Sequence, residues 1–183
     1  MIHSKNELVC FLKKDQQMLG RSKASRPKLF GDEIWKFQRA LRYHEYYMNR
    51  CDIVGRILCQ YWSWRHHYLG LKLGFTIPCN VFGAGLNIHH YGCIVVNAHA
   101  RVGENCCIQQ GVNIGRSYNS DIAPVIGNNV YLGPGVKIFG GCSLADGIAV
   151  GANSVVTKSF EEPNMTIAGV PAKYIGQRKP GLQ

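Results

Sequence analysis

Three histidines of the chain could move a proton or hold a metal near neutral pH: the adjacent pair His89 and His90, and His99. An imidazole titrates near about pH 6.5, so a neutral ring can take a proton from a hydroxyl and then return it. Three histidines and a water also make a catalytic zinc site, which would give carbonic anhydrase chemistry. Extended backbone sends neighbouring side chains to opposite sides, so only one of His89 and His90 is expected to serve as a base. Cysteine offers less direction. The eight are Cys10, Cys51, Cys59, Cys79, Cys93, Cys106, Cys107 and Cys142, and none forms a C-x-x-C pair. A zinc ribbon is therefore not expected, and free thiols in a reducing cytoplasm are.

The elements that must position these groups show in a period of six. Val96, Val102, Ile108 and Ile114 form one apolar row, continued by Ile126, Leu132, Ile138, Leu144, Val150 and Val156. A companion row two positions earlier holds Ile94, Ala100, Cys106, Val112, Val130, Val136, Cys142 and Ile148. Six is the period of neither a helix nor a flat strand. It fits a solenoid of triangular cross-section in which three hexapeptides make a coil and apolar residues stack inward, coil upon coil. Gly103, Gly115, Gly127, Gly133 and Gly151 follow the main row. With Asn105, Asn128, Asn129 and Asn153 they are expected at corners, where positive φ costs them least. The row fails over Arg116-Ser-Tyr-Asn-Ser-Asp-Ile-Ala123, which is expected to leave the solenoid as a loop.

Before the repeats the pattern is helical. Ser4-Lys-Asn-Glu7 reads as a capping box, Leu8, Phe11, Leu12, Met18 and Leu19 as an apolar face, and Gly20 as a stop. A second helix is expected over about 32–49, with Ile34, Phe37, Leu41 and Met48 inward. A third, over 53–71, carries Tyr61, Trp62, Trp64 and Tyr68 and is expected to pack against the solenoid or another subunit. Peripheral contact of this segment with a membrane is the other use of such a face. The organisation is then a helical segment over 1–73, a solenoid over 74–176 with its loop near 116–123, and a tail over 177–183.

Bulk properties narrow the classes. The chain has 183 residues, 46% hydrophobic and 17% charged, which excludes wholesale disorder. No run of about 18 apolar residues exists to span a bilayer, and Met1–Cys10 does not read as a signal peptide. The net charge is +10. Residues 1–72 carry 14 basic against 6 acidic groups, and residues 73–183 carry 7 against 5. The basic segment suits an anionic cofactor, glycan or surface, and no nucleic-acid motif accompanies it.

With these residues in view, the segment from Ile77 to Ile175 resembles the hexapeptide-repeat acyltransferases, in the serine acetyltransferase-like branch. Within it the chain is most similar to capsular and exopolysaccharide O-acetyltransferases. The resemblance rests on Leu86-Asn-Ile-His-His-Tyr-Gly-Cys-Ile-Val-Val96, on the rows, and on Ala168-Gly-Val-Pro-Ala-Lys173. It implies a mainly β protein, a left-handed parallel β-helix with an N-terminal α-helical segment, assembled as a homotrimer in the cytoplasm. It implies acetyl transfer from acetyl-CoA to a hydroxyl, without a metal, and makes His90 the general base. His89, Tyr91 and Asp121 become acceptor contacts. Gly115, Gly133, Pro134, Gly151 and Ala152 become cofactor contacts, with Lys158 and Lys173 near its phosphates. Serine-specific members carry Asp-Arg-His-Pro where this chain has Asp121-Ile122-Ala123-Pro124, an Asp where it has His89, and an orienting Asp near its Thr76. Those departures point to a carbohydrate hydroxyl as the acceptor, with serine the alternative. A zinc carbonic anhydrase and a non-catalytic assembly subunit are the readings outside acyl transfer.

Overall fold

A computed structural model describes residues 1–21, 26–118 and 121–178. Three helices come first: α1 (Lys5–Met18), α2 (Glu33–Met48) and α3 (Ile53–Leu73). The capping box at α1 is complete. Ser4 Oγ accepts from Glu7 N, while Glu7 Oε2 accepts from Ser4 N at 2.9 Å and His3 N at 2.7 Å. These bonds to the charged form hold the Glu7 carboxyl below its ordinary range. Phe37 and Leu41 are buried as expected, but Met48, the last residue of α2, is exposed. Among the described residues no helix is long and apolar enough to cross a membrane.

The solenoid follows as short strands. They are β1 (Phe75–Thr76), β2 (Asn87–Ile88), β3 (Ile94–Val96), β4 (Arg101–Val102), β5 (Cys107–Ile108), β6 (Asn113–Gly115) and β7 (Val125–Ile126), then β8 (Tyr131–Leu132), β9 (Lys137–Phe139), β10 (Ser143–Leu144), β11 (Ala149–Val150), β12 (Val155–Val156), β13 (Met165–Ala168) and β14 (Lys173–Gln177). Three parallel faces result. The first stacks β1, β3, β6, β9 and β12; the second β4, β7 and β10; the third β2, β5, β8, β11 and β13, closed by antiparallel β14. Arg178 extends the closure, donating to Asn129 O at 2.6 Å and Gly147 O at 3.1 Å. The chain is therefore a parallel β-helix with an N-terminal helical segment.

Register fixes the repeat. Val95 pairs with Asn113 and Lys137 with Val155, each 18 positions on, whereas Asn113 pairs with Lys137, 24 positions on. The additional six residues fall in the coil that contains 116–123. Ile94, Val96, Ile108, Ile114, Leu132, Ile138, Val150 and Val156 are all nearly inaccessible, so both apolar rows point into the bore. Burying each such side chain contributes about 1.5–3 kcal/mol against leaving it in water, which is why the period dominates the sequence.

The glycines after the main row have another reason than the corner conformation expected of them. Positive φ falls on Asn105, Asn129, Asn153, Gly111, Gly135 and Gly147, and not on Gly103, Gly115, Gly127, Gly133 or Gly151. What those five lack is room. A Cβ on Gly103 would sit 2.7 Å from the Gly127 carbonyl one coil on, and one on Gly133 would sit 2.8 Å from Val150 O. Asn128 likewise has no left-handed backbone; its Oδ1 accepts from Glu104 N at 2.8 Å.

The helices dock onto the first coil through buried charge. Arg42 has no exposed surface; it pairs with Asp15 at 2.8 Å and Glu45 at 3.0 Å and donates to the Phe82 and Gly83 carbonyls. Asp15 Oδ1 in turn accepts from Gly85 N at 2.7 Å and Leu86 N at 2.9 Å. α3 packs on α2, with Tyr43 and Trp62 stacked 4.5 Å apart. Its Ile57, Tyr61, Trp64, Tyr68 and Leu71 are exposed and do not rest on the solenoid of the same chain.

Candidate active site

His89 and His90 follow β2, in the corner that carries the chain from the third face to the first. Register stacks that corner coil by coil. Ile88 pairs with Ile108, Ile108 with Leu132, Leu132 with Val150, and Val150 with Ile167. The residues that follow therefore align as His89, Gln109, Gly133, Gly151 and Ala168. Beside them run His90, Gln110, Pro134, Ala152 and Gly169. The corner is narrow because its glycines admit no side chain: a Cβ on Gly151 would stand 2.9 Å from the Ala168 Cβ. The two histidines thus head a column that passes Gln109 and Gln110 and carries only small residues, Gly133, Pro134, Gly151 and Ala152, over the next two coils. Lys173 lies opposite Ala168 at the far end of this column.

The two histidines differ in surroundings. His89 Nε2 accepts from Asn87 Nδ2 at 3.2 Å. With Tyr91, Arg21, Asp32 and Trp35 it lines a cleft of about 230 Å3 between the helices and the first coil. His89 is exposed overall, but partial desolvation, with the neighbouring His90, lowers its pKa. In that cleft Arg21 grips Asp32 through two hydrogen bonds of 2.7 Å. His90 is exposed, does not line that cleft, and has no hydrogen-bonding partner among the described residues; the two rings stand 6.2 Å apart. Thr76, on β1, is also exposed.

The remaining sequence-derived candidates lie on the next corner, between the first and second faces. Gly115 ends β6 against Phe139, Asp121 sits in the loop, and Lys158 follows β12 with its Nζ 5.4 Å from the Phe160 ring centre. One chain thus divides the candidates between two corners. In the loop Asp121 is ion-paired with Arg116, Ile122 is exposed and Ala123 buried. His99 also belongs to this second corner, so within one chain it stands apart from His89 and His90. All eight cysteines are free thiols. Burial raises the pKa of Cys106 and Cys142 and pushes Cys107 up to about 11, so none of these three is a ready nucleophile.

No family model matches the chain. It is 30% identical over 135 residues to the serine acetyltransferase of Synechococcus elongatus, covering 72% of this chain and 52% of that protein. It is 34% identical over 105 residues to the serine acetyltransferase of Mycobacterium tuberculosis, covering 56% and 45%. The solved serine acetyltransferase of Brucella abortus superposes with a TM-score of 0.73 at 26% identity, over 96% of this chain and 71% of that one. The same protein has been solved with coenzyme A. The chain spans about half the length of the curated relatives it matches. Fold, repeat and likeness together make it a hexapeptide-repeat protein of the acyltransferase superfamily.

These relatives overturn the carbohydrate reading. It rested on Ile122 and Ala123 standing where serine-specific members carry Arg and His. The loop lacks those two donors but keeps Arg116, a guanidinium held there by Asp121. A two-residue difference is also local, whereas the likeness to serine acetyltransferases extends over 135 residues.

Proposed function

We propose that the protein is an acetyl-CoA-dependent serine O-acetyltransferase, with the left-handed winding of its superfamily. The observation that carries this reading is the corner column. His90 heads a column that carries Gly133, Pro134, Gly151 and Ala152, in a chain whose similar proteins are serine acetyltransferases. His90 takes the proton of the serine hydroxyl as its oxygen bonds to the thioester carbon. The tetrahedral intermediate collapses, the carbon–sulfur bond breaks, and the imidazolium returns the proton to the departing CoA sulfur. Backbone N–H groups at the corners supply donors for the oxyanion. The pantetheine arm lies along this column, and Lys173 meets CoA phosphates as a point charge.

The division of candidates between two corners supports a homotrimer. A single prism keeps Gly115, Asp121 and Lys158 one face away from His90. When prisms pack side by side, one chain's loop corner can complete its neighbour's histidine corner. His89 and Tyr91 then act from the helical side of the acceptor pocket.

The direct test is release of free thiol from acetyl-CoA. Serine is expected to support saturable turnover, and sugars or nucleotide sugars are not. Turnover of a sugar with none of serine would reject the assignment. Saturable CoA binding with no turnover of any acceptor would instead favour an assembly role.

Arg116 gives a second expectation. An arginine fork binds a carboxylate in two parallel hydrogen bonds, so Arg116→Gln should raise KM for serine roughly tenfold or more with a smaller change in kcat. Unchanged steady-state constants would remove Arg116 from the acceptor pocket.

A further inference from the structure

Where α2 and α3 meet the first coil, three ligand-type side chains converge that acyl transfer does not use. His44 on α2, His66 on α3 and Cys79 in the turn after β1 bring one ligand atom each to within 4.8 Å of the others. Among the described residues this is the one group of three His, Cys, Asp or Glu side chains that meets that condition. His44 Nδ1 lies 3.2 Å from His66 Nδ1 and 3.2 Å from Cys79 Sγ. We propose that His44, His66 and Cys79 form a zinc-binding site that clamps the helical segment to the solenoid.

Two atoms face His44 Nδ1 at once. A ring nitrogen offers one proton or one lone pair. Here it meets two partners at contact distance, so hydrogen bonding can satisfy one of them well and leaves the other facing an occupied site. A cation between the three resolves the conflict, because each atom then points a lone pair at the metal. The spacing suits this. With zinc–nitrogen bonds of about 2.0–2.1 Å and a zinc–sulfur bond of about 2.3 Å, tetrahedral angles place nitrogens about 3.3 Å apart and sulfur about 3.6 Å from nitrogen.

The surroundings hold the three ligand-bearing segments together. Glu45, next to His44, accepts from the N–H of Asn80, next to Cys79, at 2.7 Å. This bond holds two of the ligand-bearing segments in register. All three ligands are partly buried, and His44 and His66 border a cavity of about 340 Å3 that Ser63 and Thr76 also line. Water from that cavity can fill the fourth position. The thiol must ionise: the zinc–sulfur bond forms, the S–H bond breaks, and the proton leaves to solvent. Two imidazoles and a thiolate select zinc over magnesium or calcium, which take oxygen ligands.

No short motif marks the site, because its ligands lie 22 and 35 positions from His44. The site is independent of the acceptor assignment, since its residues belong to neither corner described above.

The test uses the full chain, stripped with a chelator and titrated with Zn2+ or Co2+ alone. One metal per chain is expected. The cobalt form should show a thiolate-to-metal charge-transfer band, and Zn2+ should raise Tm. Cys79→Ser should abolish the band, and His44→Gln and His66→Gln should each weaken Zn2+ binding tenfold or more. Should a variant misfold, the wild-type chain still decides the matter. Bound Zn2+ should slow alkylation of Cys79 at least tenfold, read by peptide mass spectrometry, with exposed Cys10 and Cys51 unaffected. Binding below one metal per chain, a cobalt spectrum without the thiolate band, or equal Cys79 alkylation with and without Zn2+ would each overturn the proposal.

Discussion

Replacing His90 by alanine should lower kcat for acetyl transfer by about 10²-fold or more, the range expected when a positioned general base is lost. A serine hydroxyl is a weak nucleophile while it keeps its proton. Among the described residues His90 has neither a hydrogen-bonding partner nor a place in the cleft beneath the helices, which leaves its ring open to a substrate oxygen. Its exposure also predicts an unchanged fold: the corner contributes little burial compared with the Ile, Val and Leu rows. CoA binding should change little, because the cofactor arm lies along Gly133, Pro134, Gly151 and Ala152. His89→Ala should cost less in kcat and act mainly on serine KM, since that ring is tied to Asn87 and faces the cleft. Single-turnover kinetics, CoA calorimetry and a melting curve on each variant separate these effects. Near-normal kcat in His90→Ala would refute its role, and a greater loss in His89→Ala would move the base by one residue.

What the amino-acid order reveals of this molecule follows from how far a signal must travel along the chain. The two apolar rows are local and repeated, so they announce the coil, its inward face and the break at 116–123. The capping box at Ser4 and Glu7 is legible for the same reason, since all its atoms lie within one turn. Features that need a third dimension stay hidden. The glycines after the main row look like turn formers, yet Gly103 and Gly133 are small because the next coil passes within 3 Å of where a Cβ would stand. Tyr61, Trp64 and Tyr68 read as a face that packs on the solenoid, another subunit or a membrane, and the fold turns them outward from the solenoid of their own chain. His44, His66 and Cys79 lie on three elements and meet only when α2, α3 and the first coil pack together. Even the site divides this way. His90 is marked by its position before Ile94-Val-Val96, whereas its distance from Asp121 across a face emerges only from the register of the strands.

The buried charges give the second large effect. Arg42, Asp15 and Glu45 are all buried, where charged side chains are rarely found unless paired. Burial by itself opposes the charge on Arg42, but Asp15 and Glu45 outweigh that and raise its pKa. Its guanidinium also stands 4.9 Å from the centre of the Phe11 ring, so it packs as well as pairs. Arg42→Ala should therefore destabilise the protein by about 3–5 kcal/mol, the cost of leaving buried carboxylates without their counter-charge. The same change removes donors from the Phe82 and Gly83 carbonyls and frees the Asp15 side that anchors Gly85 and Leu86. That stretch leads directly into β2 and His89, so the variant should also bind serine more weakly at temperatures where it remains folded. Asp15→Ala alone should be costly too, because it leaves Gly85 N and Leu86 N without their acceptor. The double variant should lose less than the two single losses added together, since removing Asp15 relieves part of the imbalance that Arg42→Ala creates. Urea unfolding of the two single variants and the double variant measures this coupling. A loss in Arg42→Ala below about 1 kcal/mol, within reach of an ordinary surface substitution, would mean that the charge cluster does not hold the helices to the first coil.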